Sequence, residues 1–290
     1  MAVVLSLAAA LLLGVGFVLQ QQVARTAPTR DELSWRLIRY LVVRRRWLAG
    51  VGAMACGQVL GAIALGQADI TLVEPLLTTN ILIALGLAKV LSGQWLDWRE
   101  WCGAIALAVG VAVFVVAANP RPGSGHGPAE PWLFLSVVVP SAAVITAIGR
   151  RCTGNRRAVC LAGAAGLLYG LQDGLTRRGM VLLGHGPAGL LRDWSPYAIV
   201  AVAVVGLVLA QNAFEAAPLR LSLPVITVTE PAVGIAYGVV VSDDRLSDGT
   251  TWLQALSLAV AVAGCVAVTR SPALTRRHPT TRTRGDAHRR

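Results

Sequence analysis

Nine stretches of this 290-residue chain are long and apolar, and 21 of its 26 Lys and Arg residues fall in every second connection between them, counting the C-terminal tail. That alternation marks a chain threaded back and forth through a bilayer, because basic loops are retained on the cytoplasmic side during insertion. A helix crossing ~30 Å of hydrocarbon needs about 20 mostly apolar residues. Residues 2–24, 47–68, 101–120, 131–149, 194–214 and 249–269 qualify without one ionised group. Three further spans make polar concessions: 70–91 holds Glu74 and Lys89, 158–183 holds Asp173, Arg177 and Arg178, and 219–241 holds Arg220 and Glu230. The expectation is an all-α integral membrane protein of nine transmembrane helices.

The basic residues assign the sides. Segments 25–46, 89–100, 150–157 and 215–220 and the tail from 270 share the cytoplasmic side, whereas Arg121, Arg177, Arg178, Arg192 and Arg245 lie opposite. This places the N-terminus outside and the C-terminus in the cytoplasm, in a multi-pass protein of the plasma membrane. A mean hydropathy of +0.62 with only 14% charged residues exceeds what a soluble domain carries. The first span lacks a basic preceding region, and its Gln20-Gln21-Gln22 exit lacks a small-residue cleavage site, so it reads as a permanent helix. The net charge of +11 is topological, serving orientation and attraction to anionic headgroups rather than nucleic acid. Within 25–46, Leu33, Leu37 and Leu41 recur at helical spacing with Arg36 and Arg39 between them, which suits a basic helix on the cytoplasmic surface or, less specifically, a soluble loop.

The two halves of the chain are related at an offset of 149 to 152 residues. Gly14, Gln20 and Arg25 align with Gly166, Gln172 and Arg177, Pro75 aligns with Pro224, and Trp101 aligns with Trp252 at the head of a run with eight identities. Spans one to four thus pair with six to nine, and an offset of five crossings is odd, so the second copy enters from the opposite side. The expected organisation is a first repeat over 1–120 containing the basic segment 25–46, a linker and fifth helix over 121–152, a second repeat over 153–270, and a disordered basic cytoplasmic tail over 271–290. Inverted repeats of this kind build secondary transporters around a site near the midplane.

An ionisable side chain at mid-membrane costs roughly 2.5–3.5 kcal/mol on insertion scales, so it persists where it faces a cavity or a partner. Glu230 lies midway between Arg220 and Asp243 and precedes Pro231, whose missing donor leaves backbone carbonyls open to a polar cavity. It reads as a pathway carboxylate or as a protonated Glu bonded to a neighbouring helix. Glu74, before Pro75, lines an outer vestibule or reaches the headgroups. Thr78, Thr79 and Asn80 follow one turn deeper as solute ligands or packing groups. Gln58 sits mid-span beside Gly57 and Gly61. Gly166, Gly170 and Gly174 form a face for close helix approach, with Asp173 beside it as a pathway group or as the ordinary ion partner of Arg177 four residues on. Gln20, Gln172, Gln211, Asn212 and Tyr237 complete the candidate pathway, and Pro75, Pro224 and Pro231 are candidate helix breaks.

Several of these residues resemble the drug/metabolite transporter superfamily, the EamA-like carriers, and within it the NIPA-like magnesium transporter branch. The resemblance rests on Trp47, Gly50, Met54, Gly57 and Gln58, on Leu72-Val73-Glu74-Pro75-Leu76, on Thr229-Glu230-Pro231 and on Asp244-Arg245-Leu246. It implies a gradient-coupled carrier of small solutes, or a magnesium-type transporter in which Glu74, Asp173 and Glu230 hold a hydrated ion. Gln58 stands where the magnesium-carrying members have an acidic residue, which weakens that second reading. A non-transporting scaffold or receptor is the third class. The sole lysine, Lys89, follows Ala88 rather than a Walker glycine, and His126, His185, His278 and His288 have no catalytic or metal spacing, so neither an ATP site nor an enzyme is expected. No cofactor is expected. The expected partners are the lipid bilayer and a small-molecule solute or cation, with a homodimer left open.

Overall fold

The structure, a computed structural model, describes residues 1–27, 35–65, 67–68, 70–92, 97–119, 130–184 and 186–270. These residues form α1 (Ala2–Ala24), α2 (Trp35–Leu41), α3 (Arg45–Leu65), α4 (Ile70–Leu77), α5 (Asn80–Ser92), α6 (Trp98–Ala118), α7 (Pro131–Arg150), α8 (Gly154–Gly184), α9 (Pro187–Arg192), α10 (Ser195–Ala216), α11 (Leu219–Val241) and, after a 3₁₀ turn at Asp248–Thr250, α12 (Thr251–Thr269). Among the described residues eight helices are long and apolar enough to cross a membrane: α1, α3, α6, α7, α8, α10, α11 and α12. The chain is a multi-pass helical membrane protein, and no strand occurs among the described residues.

The expected third span is the exception. Instead of one helix over 70–91 the chain forms α4 and α5, separated at Thr78–Thr79. Thr78 Oγ1 donates to Pro75 O at 2.8 Å and Thr79 Oγ1 to Leu76 O at 2.6 Å, so two side chains satisfy carbonyls that a continuous helix would give to backbone donors. The other two candidate breaks are corrected: α11 runs unbroken through both Pro224 and Pro231. The reason lies in its partner. A Cβ on Gly166 would stand 2.8 Å from Thr229 Cβ, one on Gly170 would collide with Glu230 O, and one on Gly174 with the Tyr237 ring. These three glycines let α8 lie against α11 along most of its length, in parallel, and hold it helical where two backbone donors are missing.

Close backbone approach also fixes the other pairs. A Cβ on Gly50 would lie 3.0 Å from Gly16 O and one on Gly57 3.0 Å from Ala9 O, so α3 runs antiparallel to α1. Helices α6 and α12 are antiparallel too: Gly103 faces Gly264 and Val268, Gly110 faces Ser257 and Ala261, and Thr250 Oγ1 donates to Ala117 O at 2.6 Å. An Asp97–Glu100 capping box starts α6, and Asn119 ends it in the left-handed region at φ 38°. The perimeter keeps large apolar side chains exposed, among them Val59, Ile63, Val137 and Val144, as a lipid-facing surface requires. Exposed Trp98, Trp132 and Trp252 stand at helix starts, the level of the membrane interface.

Counting α4–α5 as one crossing, the bundle has two ends. One carries the end of α1 and the starts of α3, α6 and α11; it is called here the Arg220 end. The other, the Asp244 end, carries the ends of α6 and α11. The basic segment contributes α2 at the Arg220 end, where Leu37 and Leu41 are buried and Arg39 is exposed, as the leucine spacing predicts. Leu33 and the tail 271–290 lie outside the described residues.

Candidate functional site

Packing of this kind leaves space only where helices are kept apart, and α4–α5, α8 and α11 surround such a space. A cavity of about 420 Å³ extends from mid-depth toward the Asp244 end. Residues singled out in the sequence line it, among them Gln58 of α3, Asn80 at the start of α5, Asp173 of α8, and Glu230, Pro231 and Tyr237 of α11. The helix break supplies Thr78 and Asn80 to one wall. The continuous α11 supplies Thr227, Glu230 and Tyr237 to the facing wall. Leu13, Phe17, Ile226 and Val111 make the remainder of the lining largely apolar.

Two of the lining residues carry a buried polar atom without a hydrogen-bond partner among the described residues. Tyr237 is 1% exposed, and its Oη has no hydrogen-bond partner among the described residues. Its ring packs edge-on against Phe134 of α7, with centroids 5.3 Å apart. Asn80 Oδ1 is likewise buried without a hydrogen-bond partner. A buried, unmatched polar atom costs on the order of 1–3 kcal/mol, and a site that binds polar solute is one place where that cost is tolerated.

Near its mouth the cavity carries an ion pair that sequence spacing does not show. Arg177 forms a bidentate pair with Asp244: Nη2 donates to Oδ1 at 2.9 Å, and Nη1 donates to Oδ2. The turn after α11 makes this possible. Asp243 adopts φ 59°, a left-handed conformation that Asp tolerates, and Asp244 N donates back to Gly238 O at 2.9 Å. A Cβ on Gly238 would stand 2.6 Å from Asp244 Oδ2, so only glycine lets the carboxylate tuck over the helix end. Arg178, adjacent in sequence, pairs with Asp193 at 3.1 Å.

The Arg220 end carries a buried polar cluster. Gln211 Nε2 donates to Gln20 Oε1, and Trp47 Nε1 donates to Gln211 Oε1 at 3.1 Å, a buried link joining α1, α3 and α10. Arg220 Nη1 meets Glu100 Oε2 at 3.4 Å, and Glu100 is fully buried. Burial, and then the neighbouring Arg220, lower the Arg25 guanidinium below its ordinary value.

Comparison with known proteins adds a relative and no family. A protein of Corynebacterium glutamicum described as uncharacterized is 26% identical over 275 residues, covering 93% of this chain and 95% of the relative. No family model matches the chain, and no solved structure matches it.

The remaining candidates separate from the cavity. Gln20 and Gln211, expected along a pathway, form the amide link at the Arg220 end, and Asn212 Nδ2 donates to Val208 O of its own helix at 2.7 Å. Gln172 Oε1 is buried with no hydrogen-bond partner among the described residues. Pro224 is buried within α11. Glu74 lies on α4, one turn before the break, and its side chain is outside the described residues. No group of three His, Cys, Asp or Glu side chains that could hold a metal ion comes together among the described residues. What sequence reasoning missed is the place of Asp244 and Leu246 on the cavity and the pairing of Glu100 with Arg220. Their one sequence signal is an acidic residue at the edge of a span whose partner is far along the chain.

Proposed function

We propose that this protein is a secondary transporter of the drug/metabolite type, moving a small solute across the plasma membrane by alternating access. The observation that carries this reading is the cavity: it joins Asp173 and Glu230 to a broken helix, and lies between a buried polar cluster and an end held by Arg177–Asp244. Irregular backbone at membrane depth is expected where it lines a polar space.

An inverted-repeat organisation has support of its own. At the sequence offset of 151, Gly110 is the counterpart of Ala261, and these two residues meet where antiparallel α6 and α12 cross. A two-fold axis in the membrane plane brings equivalent positions together in this way. Gly14 packs against Asn80 O, and its counterpart Gly166 packs against Thr229, the residue equivalent to Asn80. Counting α4–α5 as one discontinuous crossing gives nine, with α7 as the linking helix. The basic loops then put the Arg220 end in the cytoplasm, so the cavity extends toward the outside.

The test is flux in proteoliposomes driven by a proton or sodium gradient, across a panel of organic solutes. Gradient-dependent uptake that Glu230→Gln abolishes is the expected outcome. Absence of any flux, with Asp173 and Glu230 both dispensable for the protein's role in cells, favours a scaffold or receptor. The pair of carboxylates on one cavity also suits a hydrated divalent cation, and magnesium belongs in the same assay.

A further inference from the structure

We infer that Cys152 and Cys160 are a redox modification site: two thiols at the turn between α7 and α8 that a small disulfide converts, reversibly, into an intramolecular bond. The first argument is how the turn folds. Helix α7 ends at Arg150; Arg151 N donates to Ile148 O at 3.0 Å and Cys152 N to Gly149 O at 3.1 Å, so the chain curls back over the last residues of the helix. Gly154, at φ 55°, then takes the left-handed backbone that turns the chain into α8. Gly149 is the point of closest approach between the two helices, since a Cβ there would stand 2.9 Å from Cys160 Cβ. The turn therefore holds Cys152 to Gly149, and Gly149 lies against Cys160. The two thiols come within hydrogen-bonding reach of each other.

The second argument is access. Both cysteines are free thiols, and both are partly exposed rather than sealed in the core. Cys152 stands outside both helices and meets a water-borne oxidant first; Cys160, in the second turn of α8, is the resolving thiol. The third argument is compartment. Arg150, Arg151, Arg156 and Arg157 flank the pair, and under the side assignment proposed above this turn lies in the cytoplasm. Thiols are kept reduced there, and a disulfide that does form is transient and serves redox sensing. Cys152 Sγ attacks one sulfur of the small disulfide and expels a thiolate, and Cys160 Sγ then attacks Cys152 Sγ and expels the second. The two protein thiols give up two protons and two electrons, and the small disulfide leaves as two thiols. The bond ties the end of α7 to α8, at the junction of the two halves of the chain.

The test treats the reduced full chain in nanodiscs with 2-hydroxyethyl disulfide, alkylates the remaining thiols and maps the peptides by mass. A Cys152–Cys160 link, two hydrogens lighter than the dithiol and reopened by a dithiol reductant, is the expected product. Cys102, exposed on α6 at the same end of the bundle, is the comparison and should carry only the hydroxyethyl adduct. Cys160→Ser should leave that adduct standing on Cys152. Phenylarsine oxide, which bridges two neighbouring thiols, reads their proximity without oxidation: it should bind the reduced chain, and Cys152→Ser or Cys160→Ser should each weaken it about a hundredfold or more. Thiols that stay free, adducts on both cysteines with no link, a link to another cysteine, or arsenical binding that survives loss of either thiol would each overturn the inference. The unaltered chain decides the matter by itself, so a variant that fails to fold does not. None of these readouts involves flux, so their failure leaves the transport reading standing.

Discussion

The Arg220 end and the Asp244 end are each crossed by an ion pair, but the two pairs sit in different surroundings. Glu100 is fully buried and the Arg220 side chain is 11% exposed, whereas the Arg177 side chain is 44% exposed above a tucked Asp244. The first pair adjoins the buried Gln20–Gln211–Trp47 link, and the second borders a cavity. A charge pair shielded from water is costly to break from one side, and one open to water is not. One end of this conformation is therefore a lock and the other a latch, the asymmetry expected of a carrier caught facing one side.

The difference can be broken by mutation. Glu100→Ala removes the carboxylate that faces the buried Arg220 charge and should lower stability by about 3 kcal/mol, read by thermal or denaturant unfolding in detergent. A loss under half of that would show the end to be held by the amides instead. Gln211→Leu removes the acceptor of Trp47 and the partner of Gln20, and about 2 kcal/mol is expected in the same measurement. Arg177→Ala should cost about 1 kcal/mol, because that side chain is 44% exposed. A cost equal to that of Glu100→Ala would erase the distinction between the ends. The smallest effect is that of salt: raising it from about 0.1 to 1 M shortens the screening length from ~10 to ~3 Å. The Arg177–Asp244 coupling in a double-mutant cycle should shrink, and the Glu100–Arg220 coupling should hold.

The same contrast explains what was legible in the chain. The spans and the alternation of basic residues follow from insertion, a rule applied along the sequence, and could be read one segment at a time. The glycine face of α8 was legible because its spacing of four is local, and Asp173 and Glu230, both singled out in the sequence, line the cavity. Where helices stop was not legible. Pro75, Pro224 and Pro231 carry the same local defect, but α11 stays whole because Gly166, Gly170 and Gly174 of α8 hold it. At the level of the other break α1 offers Gly14, and the chain opens at Thr78–Thr79 instead. Partners distant in sequence were also hidden. Arg177 reaches Asp244 across 67 residues, and Gln20 meets Gln211 across 191, so two amides read as pathway groups are packing groups in this conformation.

Alternating access makes a claim that needs no knowledge of the solute: one residue in the cavity must be reachable from both sides of the membrane. Thr227 lines the cavity opposite the helix break. With Cys56, Cys102, Cys152, Cys160 and Cys265 replaced, Thr227→Cys gives a single thiol there. A membrane-impermeant maleimide should label it quickly from the outside of right-side-out vesicles and more slowly from the cytoplasmic face of inside-out vesicles. Labelling from both faces is what the account predicts. Labelling from one face only, however long the exposure, would contradict it and leave a one-sided binding pocket.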